Sequence, residues 1–159
     1  MTQISCSSLL PFNATQMYQL INDVTAYPTF LPGCIGSRIL EFSQNYMIAS
    51  IDIYKAGIKK TLITRNTLAD NSSITMQLIY GPLSKLLGYW YFIPLSDDTC
   101  KVNLYLDFEV NDKLMQFALQ NILKKMVKQI IHIFTVRAQE IYGNSCKITN
   151  NLKTTSCLT

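Results

Sequence analysis

The stretch NDKLMQFALQNILKKMVKQIIHIFTVRAQEIY, Asn111–Tyr142, contains neither Gly nor Pro and decides the fold. Its apolar residues Met115, Ala118, Leu119, Ile122, Leu123, Met126, Val127, Ile130, Ile131, Phe134, Ala138 and Ile141 return at three- and four-residue spacing, which predicts one long amphipathic helix. Gln120, Asn121, Lys124, Lys125, Lys128, His132 and Gln139 occupy the opposite, partly basic face. Asn111 or Asp112 is placed to cap the first turn, and Gly143 to end the helix in a left-handed C-cap. Such a helix runs about 45 Å. A stripe of that length needs an extended cover, and a curved sheet supplies one.

The residues upstream supply the sheet. Gln3–Leu10 reads as a strand closed by Pro11, and Asn13 caps a short helix, Ala14–Val24, with Met17, Leu20, Ile21 and Val24 on one face. Tyr27, Phe30 and Leu31 follow between two prolines as a second short helix or tight turn, a packed lid. From Ile35 the period changes to two. Ser37–Phe42, Tyr46–Tyr54, Ile58–Leu68, Ser73–Tyr80, Leu86–Ile93 and Cys100–Val110 are strands joined by turns rich in Asn, Asp, Gly and Ser. The last alternates Cys100, Val102, Leu104, Leu106, Phe108 and Val110 with Lys101, Asn103, Tyr105, Asp107 and Glu109, so one face is dry and the other wet. Consecutive strands on short turns pair antiparallel. The expected fold is therefore α+β, a curved antiparallel sheet of about seven strands around a long C-terminal helix, with two short helices after the first strand. A sheet that curls farther than side chains can fill leaves an apolar pocket against the helix.

The chain's 159 residues suit one domain, expected over 1–143, and the polar residues 144–159 are expected to form a disordered tail. No apolar run reaches the roughly 18 residues of a membrane span, and Met1–Pro11 lacks the pattern of a secretory signal, so a cytoplasmic address is expected. Cys6, Cys34, Cys100, Cys146 and Cys157 are scattered, without a CxxC pair, which predicts reduced thiols rather than a metal site or disulfides. The net charge of +4 permits an anionic partner without requiring one.

At this point the chain resembles a known family, that of the bacterial ribosome-association toxins and the mitochondrial coenzyme Q-binding proteins, in the START-like polyketide cyclase superfamily. The resemblance rests on Asn22-Asp23-Val24, Tyr27-Pro28, Phe30-Leu31-Pro32-Gly33-Cys34, Gly36-Ser37-Arg38, Lys55-Ala56-Gly57-Ile58, Thr64-Arg65-Asn66, Gly81-Pro82, Gly88-Tyr89-Trp90 with Phe92, and Phe134-Thr135-Val136-Arg137-Ala138. It implies a helix-grip fold. It also implies two functions: binding of a polyprenyl quinone, and binding of the large ribosomal subunit so that the small subunit cannot join. Leu83 stands where the family usually has an aromatic, which would reshape one pocket end.

Catalysis is not expected. The single histidine, His132, falls on the wet helix face, Asp52, Asp107 and Glu109 alternate outward, and no nucleophile, paired-carboxylate or metal motif is present. A polyketide cyclase-like enzyme is the weakest alternative. The expected function is binding of a hydrophobic ligand, ubiquinone foremost, with no required cofactor and no DNA partner. Wall candidates are Ile51, Ile53, Met76, Leu78, Trp90, Phe92, Leu104, Leu106, Met115, Leu119, Leu123 and Met126, gated by Tyr27, Phe30 and Leu31. The alternative places RNA of the large ribosomal subunit on Lys124, Lys125 and Lys128 and on Lys55, Lys59, Lys60 and Arg65. The same cations suit peripheral contact with an anionic membrane, such as the inner membrane.

Overall fold

The computed structural model describes residues 2–111, 113–143 and 156–158. Strand β1 (Thr2–Leu10) is followed by α1 (Ala14–Asn22), a single 3-10 turn (Val24–Ala26) and α2 (Tyr27–Phe30). Strands β2 (Cys34–Phe42), β3 (Tyr46–Lys55), β4 (Ile58–Ala69), β5 (Ser73–Tyr80), β6 (Leu83–Pro94) and β7 (Cys100–Val110) then lead into α3 (Gln116–Tyr142), and β8 (Ser156–Leu158) closes the chain. The strands form one antiparallel sheet in the order β2-β3-β4-β5-β6-β7-β1-β8, eight strands where about seven were expected.

Helix α1 forms where the sequence marks it. Asn13 Oδ1 accepts from Gln16 N at 2.8 Å, and Gln16 Oε1 accepts from Asn13 N at 3.0 Å, a reciprocal capping box. Pro32 and Gly33 turn the chain from α2 into β2. Gly33 lies at φ 84°, and Cys34 N donates to Leu31 O at 3.1 Å, the geometry of a type II turn with glycine at its left-handed position.

The long helix ends at Tyr142 before Gly143 as expected, but its start and the conformation of its C-cap differ from expectation. The helix starts at Gln116, because Asn111 serves the sheet instead. Its side-chain Nδ2 donates to Leu83 O at 3.0 Å and its backbone N to Pro82 O at 3.3 Å, tying the end of β7 to the β5–β6 turn. The other cap candidate, Asp112, lies outside the described residues. Gly143 sits at φ −83°, outside the left-handed region. Glycine fits there because its backbone approaches closely: an added Cβ would lie 2.3 Å from Gln139 O.

Strand β6 begins three residues earlier than its alternation suggests. A bulge between Leu83 and Lys85 breaks the two-residue period, so Leu83 and Leu86 both reach the inner side. One inner row crosses six strands as Ile4, Leu106, Gly88, Met76, Asn66 and Met47. At its centre a Cβ on Gly88 would meet Met76 Cε at 2.5 Å and Leu106 Cδ2 at 2.8 Å, so glycine makes room for both side chains. Helix α3 covers this face through Leu119, Val127, Ile131, Phe134 and Ala138, all buried.

The carboxyl end departs from expectation. Residues 144–155 and 159 of the expected tail lie outside the described residues, whereas Ser156–Leu158 pairs antiparallel with Ser5–Ser7 of β1. Cys157 stands opposite Cys6 and is joined to it by a disulfide, so these two are not the reduced thiols expected; Cys34 and Cys100 are free and buried. Spacing in the sequence conceals the pair, because 151 residues separate cysteines that strand pairing brings together.

Candidate functional site

A cavity of about 170 Å³ lies between the sheet and α3. Of the expected wall and gate residues, Tyr27, Leu31, Ile51, Ile53, Met76, Trp90, Leu104, Leu106, Leu123 and Met126 line it. Four others stand elsewhere. Phe92 is buried in the core between Trp90 and Tyr18, Leu78 packs against the core beside Thr64, and Phe30 packs on Phe134 behind the wall. Met115 sits at the N-cap position of α3. Leu119 lines the mouth rather than the cavity.

A smaller cavity of about 30 Å³, the mouth, adjoins the larger one and shares Ile53, Leu62, Leu83, Leu123 and Met126; Lys55, Ile58 and Lys60 of the β3–β4 hairpin, Leu119 and Ile122 and Pro82 complete its walls. Leu83 belongs to mouth and cavity alike. Leu114 and Phe117 project from the start of α3 and are largely exposed.

The back wall is an aromatic cluster. Phe134 of α3 is buried, with its ring centroid 5.5 Å from Tyr27, 5.6 Å from Phe30 and 5.8 Å from Trp90, in edge-to-face arrangements. The Tyr27 hydroxyl donates to Ile21 O, and burial, followed by the nearby Asp23 and Cys34, pushes its pKa well up. The Arg137 guanidinium lies 5.2 Å over the Phe30 ring.

Several lining residues were not among the expected wall or gate residues, among them Val127, Ile130, Phe134, Cys34, Thr64 and Asn66. Val127, Ile130 and Phe134 continue the helical spacing from Leu123, a signal that was legible. Thr64 and Asn66 share the inward side of β4 with Leu62 and Leu68, and two polar residues in that apolar row, within a motif of the resemblance, were the available clue. Cys34 hydrogen-bonds to Gly36 O at 3.4 Å, and burial pushes its thiol up, which suppresses the thiolate a nucleophile would need. No carboxylate, histidine or lysine lines the cavity among the described residues.

The acidic residues also differ from expectation in one case. Asp107 lies on the outer side of the sheet, yet it is buried, because Lys85 reaches across from β6 and its Nζ bonds Asp107 Oδ2 at 2.6 Å. The candidate cations divide into separate groups. Lys125 and Lys128 are exposed on α3 beside half-buried Lys124, and Lys55 and Lys60 guard the mouth. Lys59 and Arg65 occupy the alternate positions of β4, with Arg65 4.1 Å over the Tyr46 ring, so the hairpin cations do not form one patch.

A sheet closed over one long helix, with a dry cavity between them, defines the helix-grip, START-like class. The family model described as polyketide cyclase / dehydrase and lipid transport matches residues 10–135, and the chain belongs to that family. It is 51% identical over 143 residues to the ribosome association toxin RatA of Escherichia coli (strain K12), covering 90% of each chain. It is 26% identical over 145 residues to the mitochondrial coenzyme Q-binding protein COQ10 homolog B of Xenopus laevis, covering 89% of this chain and 59% of that protein. A START superfamily protein of Mycobacterium smegmatis superposes with a TM-score of 0.75 at 19% identity, covering 88% of this chain and 99% of that one.

Proposed function

We propose that this domain binds a hydrophobic ligand, a polyprenyl quinone such as ubiquinone, without catalysing a reaction on it. The observation that carries this reading is the cavity itself: about 170 Å³, lined almost wholly by apolar side chains and lacking an acid, base or thiolate among the described residues. Apolar cavities of about 150 Å³ admit a single six-membered ring. A ring-sized chamber with a smaller apolar cavity beside it suits a molecule made of one ring and a chain, whose affinity comes from apolar burial at about 25 cal/mol per Å². The name of the coenzyme Q-binding relative supports the same reading. Organic extraction of purified protein followed by mass spectrometry tests it, together with titration of a short-chain ubiquinone followed by the fluorescence of Trp90, the single tryptophan. Quenching with saturation is expected. An empty cavity that also refuses added quinone overturns the reading.

A second reading, binding of the large ribosomal subunit, is favoured by the 51% identity to a protein named for ribosome association and by the exposed Lys125 and Lys128 beside Lys124. Such binding uses the surface and leaves the cavity free for a ligand. Lysines facing phosphates release counterions on binding, so the association weakens steeply with salt. Charge reversal at Lys124, Lys125 and Lys128 is expected to abolish cosedimentation with large subunits in a sucrose gradient. Unchanged cosedimentation removes this surface from consideration. No helix among the described residues is long and apolar enough to cross a membrane.

A further inference from the structure

Within the dry lining two polar side chains stand together. Thr64 and Asn66 are each only 6% exposed, and both line the cavity from inward positions of β4. Thr64 Oγ1 donates to Asn66 Oδ1 at 2.9 Å. That bond fixes the side-chain amide with its oxygen toward Thr64, leaving the Nδ2 amino group as a donor; no described residue accepts from it. Met47 and Met76 flank Asn66 in the inner row, and neither offers a strong acceptor. The Nδ2 group is not among the fully enclosed atoms without a partner, so it stays open to the cavity space, where a ligand oxygen can supply its acceptor.

We propose that Asn66 is the ligand-reading group of this cavity, donating from Nδ2 to a neutral carbonyl-type oxygen on the ligand's head, with Thr64 holding the amide in the orientation that permits it. The proposal rests on the reading that the cavity holds an apolar ligand, and it assigns that ligand a polarity and a direction. Lys60 and Leu62 belong to the mouth, while Thr64 and Asn66 follow at successive inward positions of the same strand. Six residues of strand place Asn66 roughly 20 Å beyond Lys60. The head therefore lies deep and the tail leaves between the β3–β4 hairpin and α3. An ionised carboxylate is the wrong head, because no cation lines the cavity among the described residues and both mouth lysines lie at the far end.

The test compares a neutral ketone with its hydrocarbon, 2-undecanone against undecane, titrated into the full chain with Trp90 fluorescence as the readout. In Asn66→Leu the ketone is expected to bind about tenfold more weakly while undecane binds equally well or better. Thr64→Val should lose less, because the donor remains but its orientation is released. The carbonyl stretch of carbon-13-labelled 2-undecanone on the unmodified protein reads the bond without any substitution, and a downshift from its value in hexane is expected. Equal loss of both probes in Asn66→Leu, or an unshifted stretch, overturns the role of Asn66 while leaving the cavity a ligand site. Failure of the unmodified protein to bind either probe overturns both readings.

Discussion

Cys6 of the first strand and Cys157 of the last stand opposite each other in antiparallel register, and their disulfide fastens β8 along the outer side of β1. Cys157 also packs against the buried core, so the bond reaches inward rather than lying on the surface. The loop it closes spans nearly the whole chain. Cross-linking so long a loop removes much of the freedom of the unfolded state, with a typical stabilisation of about 2–4 kcal/mol. Reductant is expected to lower the urea midpoint of the unmodified protein by a corresponding amount. It should leave Cys157→Ser, already at the lower value, unchanged. An unmodified protein whose midpoint ignores reductant would show that the bond contributes nothing.

Phe134 gathers Tyr27, Phe30 and Trp90 around one buried ring. Truncation to alanine removes these contacts and enlarges the cavity, and the expected loss is about 3–5 kcal/mol. Chemical denaturation measures it. Phe134→Leu, which keeps most of the volume, should lose markedly less.

The β3–β4 hairpin turns through Ala56 at φ 52° and Gly57 at φ 78°. Both central residues are left-handed, which marks a type I′ turn and suits Asn-Gly better than Ala-Gly, because a Cβ crowds the backbone there. Ala56→Asn is expected to raise stability by about 1 kcal/mol. A lowered urea midpoint would contradict this account of the turn.

Stability should fall on the alkaline side. Burial pushes the Cys100 thiol from an ordinary value of 9.0 up to about 11. The unfolded chain therefore loses this proton first, the native state holds more protons across that interval, and stability declines as pH rises through it. Tyr27, raised chiefly by burial, adds to the decline higher up. Lys85, raised chiefly by its hydrogen bond to Asp107, keeps its contribution below its unfolded value of 10.5 and loses it as pH rises through the folded value. Urea midpoints at pH 8 and near pH 11 measure the fall, and Cys100→Ala should show a smaller one.

Much of the architecture was legible because it rests on local periodicity. The alternation from Cys100 to Val110 follows from a strand with one buried side, and the recurrence from Leu119 to Ala138 from a helix with one buried stripe. The site was legible only in part. Leu104 and Leu123 belong to those apolar patterns and line the cavity; Trp90 and Phe92 share one side of β6, yet Trp90 lines the cavity and Phe92 fills core. Periodicity specifies the side on which a residue falls, while the void between sheet and helix depends on how several strands curve together.

The sequence by itself determined the order of the elements from β1 to α3, the inner face of most strands and the presence of one long covering helix, because each depends on residues a few positions apart. Tertiary structure alone decided the union of Cys6 with Cys157, the use of Asn111 at the β5–β6 turn instead of the helix cap, and the placing of Asn66 in an apolar chamber. Those outcomes depend on which strands become neighbours and in what register. A bond or a void between residues far apart in the chain has no period for the sequence to display.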